Sequence, residues 1–370
     1  MKSNGSFDEE ATKTNDDQAT IVNYGTLTLS NGSDTGGVYA AGKYTGALFN
    51  KPGATATLQN VKLQDYAEDT VSAGWYIVQN LGNMTFNSGV DVAAVNPQVF
   101  SDSIIINGVD HQYSGDQWNG DAGGKATALM GASQSNAVLT INDGTYTGGH
   151  FCIKNGDWFA EMTINGGTFT AAKETGYYKG CTLSNANNCT CTVNDGTFTA
   201  KGETPVVKCK NKTEFIGKNG TVGNGLTIKN GTFTSEGTSD VLESLSKSTA
   251  PAPVLNIEGG KFRGSYNATS EAKDGNYTVV STAFRISGGL YSADPSAYVV
   301  SGQSAIGSGD TTYPYKIGRM PIVLSWTSSK VYNANAQTPT AEPSGIDPSD
   351  VGKVHGQSAH RTMRFSRCSR

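Results

Sequence analysis

The chain has 370 residues, of which 46 are glycine and 11 proline; it is 36% hydrophobic and carries a formal net charge of −4. Mild acidity without a basic patch argues against a nucleic-acid partner, and no stretch approaches the roughly 18 apolar residues of a membrane span. Many glycines beside few prolines fit a chain that turns often, rather than a disordered one.

In chain order, residues 1–20 are polar and lack the apolar core of a secretion signal. They are expected to form an N-terminal segment or cap. Short alternating stretches begin at residue 21. Leu27-Thr28-Leu29, Ala56-Thr57-Leu58 and Met84-Thr85-Phe86 each present apolar residues to one side, as half-buried strands do. Each follows an asparagine, Asn23, Asn50 or Asn80. These three admit two readings: an inward ladder of amides bonded coil to coil, or plain surface turns. Ile104-Ile105-Ile106, followed by Asn107-Gly108, reads as a further rung.

After residue 138 the alternation becomes a strict phrase. Leu139-Thr140-Ile141-Asn142-Asp143-Gly144 is followed by Tyr146. The phrase returns from Met162 with Phe169, from Cys191 with Phe198, from Leu226 with Phe233, from Leu255 with Phe262 and from Phe284 with Tyr291. Its second glycines stand at 144, 167, 196, 231, 260 and 289, in steps of 23, 29, 35, 29 and 29 residues. Variable steps between fixed phrases favour a parallel β-helix, with loops leaving one corner of each coil, over propeller or sandwich hairpins. The expected fold is all-β: a single-stranded parallel β-helix of about ten coils over residues 21–317, with a truncated small β module at 318–351. Leu139 to Phe284 should form one inward column, Ile141 to Ile286 a second, and Tyr146 to Tyr291 an aromatic stack at about 4.8 Å per rung. Thr145/Thr147, Thr168/Thr170, Thr197/Thr199 and Thr232/Thr234 should point outward.

Cys152, Cys181 and Cys209 fall in the second segment of three successive coils and would stack as buried free thiols, with Cys189 and Cys191 sharing a face. Past Ile317 the phrase stops. Four of the chain's seven arginines lie in its last ten residues, and residues 352–370 read as a disordered tail.

Leu139–Thr147 and Phe284–Val299 resemble the pectate-lyase-like, right-handed β-helical repeat proteins of gut bacterial cell surfaces, which are adhesin-like. Ile322–Pro348 is similar to the start of an immunoglobulin-like repeat of such proteins. The resemblance implies a secreted or cell-surface setting. It does not imply an activity, since one scaffold carries both enzymes and inert stalks.

Polysaccharide lyases and hydrolases on such scaffolds use clustered carboxylates, in lyases with calcium. Asp143 and Asp195 stand at equivalent turns two rungs apart, about 10 Å by the strand spacing, and no third acid joins them. Turn chemistry accounts for both, so no catalytic residue is assigned. His111 and His150 read as lone surface histidines, neither beside a nucleophile. No metal site or cofactor is expected, because Cys189-Thr190-Cys191 lacks zinc-ligand spacing. The insertion 110–124 carries His111, Tyr113, Asp116, Trp118 and Asn119, and Trp158 stands in a similar interruption. Rings beside amides and acids suit sugars, and loops on a rigid scaffold often carry function; a tryptophan folded back over a coil edge explains the same residues. Gly74-Trp75-Tyr76 and Tyr177-Tyr178-Lys179 are comparable. The expected function is a non-enzymatic structural or adhesive segment with host or microbial glycans, or surface proteins, as partners. The alternatives are a polysaccharide lyase or hydrolase and, more remotely, ice binding through the Thr-X-Thr pairs.

Overall fold

The computed structural model describes residues 19–31, 37–40, 45–67, 76–100, 103–108, 137–156, 160–174, 180–186, 189–211, 225–246, 253–267, 278–279, 284–319, 323–326 and 341–344. It is a right-handed parallel β-helix. Three strands make one coil, and each strand pairs in parallel with its counterpart one coil on. The first coil is Ala19–Asn23, Thr26–Ser30 and Gly37–Ala40; the second is Gly46–Asn50, Thr55–Gln59 and Lys62–Asp65. The second sheet contains nine strands, ending at Phe284–Ile286, so the described residues hold nine coils. The expected tenth rung has another place. Ile105–Asn107 belongs to the first sheet, and its coil continues with Val138–Ile141 and Thr145–Gly148.

The second and third sheets follow the alternation. Val138–Ile141, Glu161–Ile164 and Thr190–Val193 bury every second residue. The columns form in the expected register: Leu139, Met162, Cys191, Leu226, Leu255 and Phe284, then Ile141, Ile164, Val193, Ile228, Ile257 and Ile286. Rings from Tyr146 to Tyr291 stack with centroids 4.6, 4.6, 4.7, 4.9 and 5.1 Å apart, and no pair departs from parallel by more than 11°.

The turn glycine of the phrase is required twice over. Gly231 has φ 121°, a conformation L side chains rarely adopt, and a Cβ there would lie 2.9 Å from the Gly196 carbonyl one coil before.

The first sheet is buried on both faces, as every residue of Gly46–Asn50, Phe151–Asn155 and Leu242–Ser246 is. It also carries a bulge. The Ala47 and Leu48 N–H groups both donate to Ile77 O, and those of Ile77 and Val78 both donate to Ile104 O. Two successive residues therefore face the core at this corner. Cys152 is such a bulge residue in the core, whereas Cys181 pairs with Phe151, outside the core cluster, and Cys209 stands in register with Asn185. The three cysteines accordingly do not stack. Cys189 packs with Ala137 and Ala160, apart from Cys191 in the main core. All five described cysteines are free and buried.

An amide ladder runs up the inside of the corner between the first and second sheets. Asn23, Asn50, Asn80, Asn107, Asn155 and Asn185 each donate Nδ2 to the next Oδ1, at 2.7, 2.8, 2.8, 2.9 and 2.8 Å. The ladder reading thus holds, over twice the expected length. Beyond the last coil, Tyr315–Gly318 pairs antiparallel with Leu290–Tyr291 and with Ser304–Gly307. Val323–Trp326 and Ala341–Ser344 form a separate antiparallel pair. Residues 352–370 lie outside the described residues. No helix among the described residues is long and apolar enough to cross a membrane.

Candidate functional site

The connections divide sharply by corner. From the fourth coil on, second and third sheets are joined by short turns of one length, such as 142–144, 165–167 and 194–196. Every long interruption lies at one of the two corners flanking the first sheet, among them 66–77, 108–137, 172–180 and 212–224. Two corners, rather than the expected one, therefore vary.

His111, Tyr113, Asp116, Trp118, Asn119 and Trp158 all lie outside the described residues, as do Trp75, Tyr177, Tyr178 and Lys179. Their points of attachment are described. The segment bearing His111 to Asn119 departs after Asn107-Gly108 and rejoins before Val138; that bearing Trp158 departs after Asn155-Gly156. Asn107 and Asn155 are register partners, and Asn107 Nδ2 donates to Asn155 Oδ1 at 2.9 Å. Both insertions thus spring from neighbouring rungs of the ladder. The Gly108 N–H donates to Asn80 O at 2.8 Å, and the Val138 N–H donates to Gly82 O at 2.8 Å, which fixes the roots of the longer one.

Beside these roots, the outward positions of the first sheet form a row missed in the sequence. Phe49, Gln79, Ile106, Lys154, Ser184, Lys208 and Glu243 are in register. All are buried, Lys154 to 2% exposure. Lys208 Nζ lies 3.0 Å from Glu243 Oε2. Removing one partner of such a buried pair typically costs about 3–5 kcal/mol, because it strands the other charge. No periodic signal announces this row, since strands buried on both faces do not alternate.

The described residues contain no activated nucleophile. Burial pushes the Cys181 thiol up, against the pull of Lys208 and Lys210. Burial likewise raises Cys152 and Cys191, and takes Cys209 up to about 12. Protonated, enclosed thiols are inert. His150 is buried, not the surface residue expected, and burial with the nearby Lys173 lowers its pKa to about 4. It is neutral at physiological pH. Asp143 and Asp195 are both exposed turn residues, and Asp195 Oδ1 accepts from the Gly196 N–H at 2.8 Å. No group of three or more His, Cys, Asp or Glu able to hold a metal ion occurs among the described residues.

Two further outward features emerge from the coil-to-coil register. Asn142, Asn165 and Asn194 continue from Asn87 as a second, exposed amide ladder at 2.9, 2.8 and 2.7 Å. Thr28, Thr57, Thr85, Thr140, Thr163, Thr192 and Thr227 form an outward column on the second sheet. The expected pairs on the third sheet also stand in register. The middle threonine of each Leu-Thr-Ile was the signal for that column. Compared with known proteins, the chain matches no family model, no curated protein and no solved structure.

Proposed function

We propose that this chain is a non-enzymatic structural or adhesive segment of a secreted or cell-surface bacterial protein. The pectate-lyase-like, adhesin-like resemblance of its repeat phrases supplies the setting. The solenoid serves as a stiff support, and the insertions rooted at Asn107 and Asn155 contact glycans through His111, Tyr113, Asp116, Trp118, Asn119 and Trp158. One observation carries this reading: the interruptions gather at the two corners beside a single sheet, and two ring-bearing ones leave adjacent rungs of the amide ladder. A rigid root lowers the ordering cost of a binding loop. The repeat itself is occupied by packing, turns and an outward polar face.

A glycan array read alongside reducing-sugar and unsaturated-product assays tests the proposal. Binding without turnover, lost in Trp118→Ala or Trp158→Ala with the β-sheet spectrum unchanged, is the expected result. Product formation abolished by Asp143→Ala or Asp195→Ala would overturn it in favour of a polysaccharide lyase or hydrolase.

A further inference from the structure

Four Asn–Gly pairs have both residues described: 107–108, 155–156, 165–166 and 230–231. Such a pair carries its own chemistry, because no side chain on glycine hinders the approach of its backbone nitrogen to the asparagine carboxamide. The fold treats the four differently.

Asn107 and Asn155 are rungs of the inner ladder, both at 0% exposure. Each accepts an amide N–H from the rung before and donates to the rung after. The nitrogens of the glycines that follow are engaged too. The Gly108 N–H donates to Asn80 O at 2.8 Å, and the Gly156 N–H donates to Asn107 O at 2.7 Å. Asn165 is exposed, but the outer ladder holds it from both sides. Its Nδ2 donates to Asn142 Oδ1 at 2.8 Å, and its Oδ1 accepts from Asn194 Nδ2 at 2.7 Å.

Asn230 is equally exposed and belongs to neither ladder. In its coil the outer-ladder position is taken by Lys229, the counterpart of Asn194. Among the described residues no hydrogen bond engages the Asn230 carboxamide or the Gly231 N–H. The flanking Lys229 and Thr232 N–H groups are bonded, to Val193 O and Gly196 O of the coil before, at 2.8 Å each. Asn230 stands where that coil has Asp195, whose Oδ1 accepts from the Gly196 N–H at 2.8 Å. A side chain at this position therefore reaches the nitrogen of the glycine that follows it.

We propose that Asn230 is a site of spontaneous deamidation, and that the two amide ladders protect Asn107, Asn155 and Asn165 from the same reaction. The Gly231 nitrogen attacks Asn230 Cγ. The N–Cγ bond forms, the Cγ–Nδ2 bond breaks, and the nitrogen's proton leaves with Nδ2 as ammonia. Water then opens the cyclic imide at either carbonyl, giving aspartate or isoaspartate. The aspartate product fits, since Asp143 and Asp195 already occupy the equivalent turn, and it adds one negative charge beside Lys229. The isoaspartate product lengthens the backbone between the bonded Lys229 and Thr232 N–H groups and should loosen the Thr232 bond to Gly196 O. The inference does not depend on glycan binding by the insertions.

The full chain, incubated at mildly alkaline pH in oxygen-18 water, tests this by peptide mass spectrometry of label uptake at each asparagine. Asn230 should convert at least about tenfold faster than Asn165, because attack at 165 requires its ladder bonds to break first. Asn107 and Asn155 should be slower still. In urea the four should convert at similar rates. Asn194→Ala and Asn142→Ala each remove one ladder bond of Asn165; with the β-sheet spectrum unchanged, each should speed conversion at Asn165 and leave Asn230 as it was. Equal rates at Asn165 and Asn230 in the folded chain, or no conversion at Asn230, overturn the proposal. So does a difference that persists in urea, or an Asn165 that converts no faster in either folded variant.

Discussion

The first six coils and the last six are held in register by different physics. In the first six, one inward position is an amide hydrogen-bonded to the next at 2.7–2.9 Å, in a run from Asn23 to Asn185. In the last six, another is a ring stacked between rings, from Tyr146 to Tyr291. Coils four to six carry both. Before the fourth coil the ring position holds Val38, Leu63 and Val92. After the sixth, the amide position holds Cys209 and Ser244. A buried amide ladder is intolerant, since each rung satisfies polar groups on two neighbours. A ring stack is forgiving, since dispersion falls off by degrees and neighbouring side chains can shift. Register in the N-terminal half thus depends on chemistry, and in the C-terminal half on shape.

The sharpest way to break this comparison is Asn80→Ala. It removes the partners of Asn50 Nδ2, Asn107 Oδ1, the Val138 carbonyl and the Gly82 N–H together. A local loss of about 3–5 kcal/mol is expected. Amide hydrogen exchange in coils two to four should report it, because stacked repeats need not unfold in one step. Phe198→Leu removes two ring contacts, at 4.6 and 4.7 Å, and keeps most of the volume. It should cost less, about 1–3 kcal/mol, read from exchange in coils five to seven. A larger loss in Phe198→Leu than in Asn80→Ala would reverse the comparison.

Cys209→Asn sharpens it from the other side. Asn185 Nδ2 donates to the Cys189 carbonyl at 3.1 Å and, in the ladder direction, meets Cys209 Sγ at 4.0 Å; the buried Ser244 Oγ beyond has no hydrogen-bond partner. An asparagine at 209 would extend the ladder, and a gain of about 0.5–1.5 kcal/mol in denaturant stability is expected. A loss would mean that shape alone governs that half. Thr192→Val, on the outward threonine column, touches neither device and should change stability by less than about 0.5 kcal/mol either way.

How much was legible in the sequence follows from where alternation survives. The second and third sheets bury one face, so Leu139-Thr140-Ile141 and Thr168-Phe169-Thr170 announced their own orientation, and the columns followed. The first sheet buries both faces. Ile104-Ile105-Ile106 therefore looked like one more rung of the phrase instead of the opening strand of a coil finished after a long insertion. The thiols failed for a related reason: a bulge at Ala47, Ile77 and Ile104 shifts inward-facing parity by one residue, and no sequence spacing shows that shift. Asn23, Asn50 and Asn80 were visible as a set. Asn107 was not, because the insertion 108–137 separates it from the next strand, whereas Asn155 and Asn185 stand about as close to Glu161–Ile164 and Thr190–Val193 as Asn50 does to Thr55–Gln59, a spacing that could have revealed them.

By itself, then, the sequence determined the architecture: a parallel solenoid whose phrase pairs alternating strands with a turn glycine that tolerates nothing larger. Period and alternation are local properties, and strand stacking follows from them. The tertiary structure alone decided which amides meet, which lysine faces Glu243, and that His150 is enclosed. The amide and Lys208–Glu243 contacts depend on side chains brought together from different coils, 23 to 55 residues apart in sequence. No local pattern encodes that distance, because the insertions that set it obey no period.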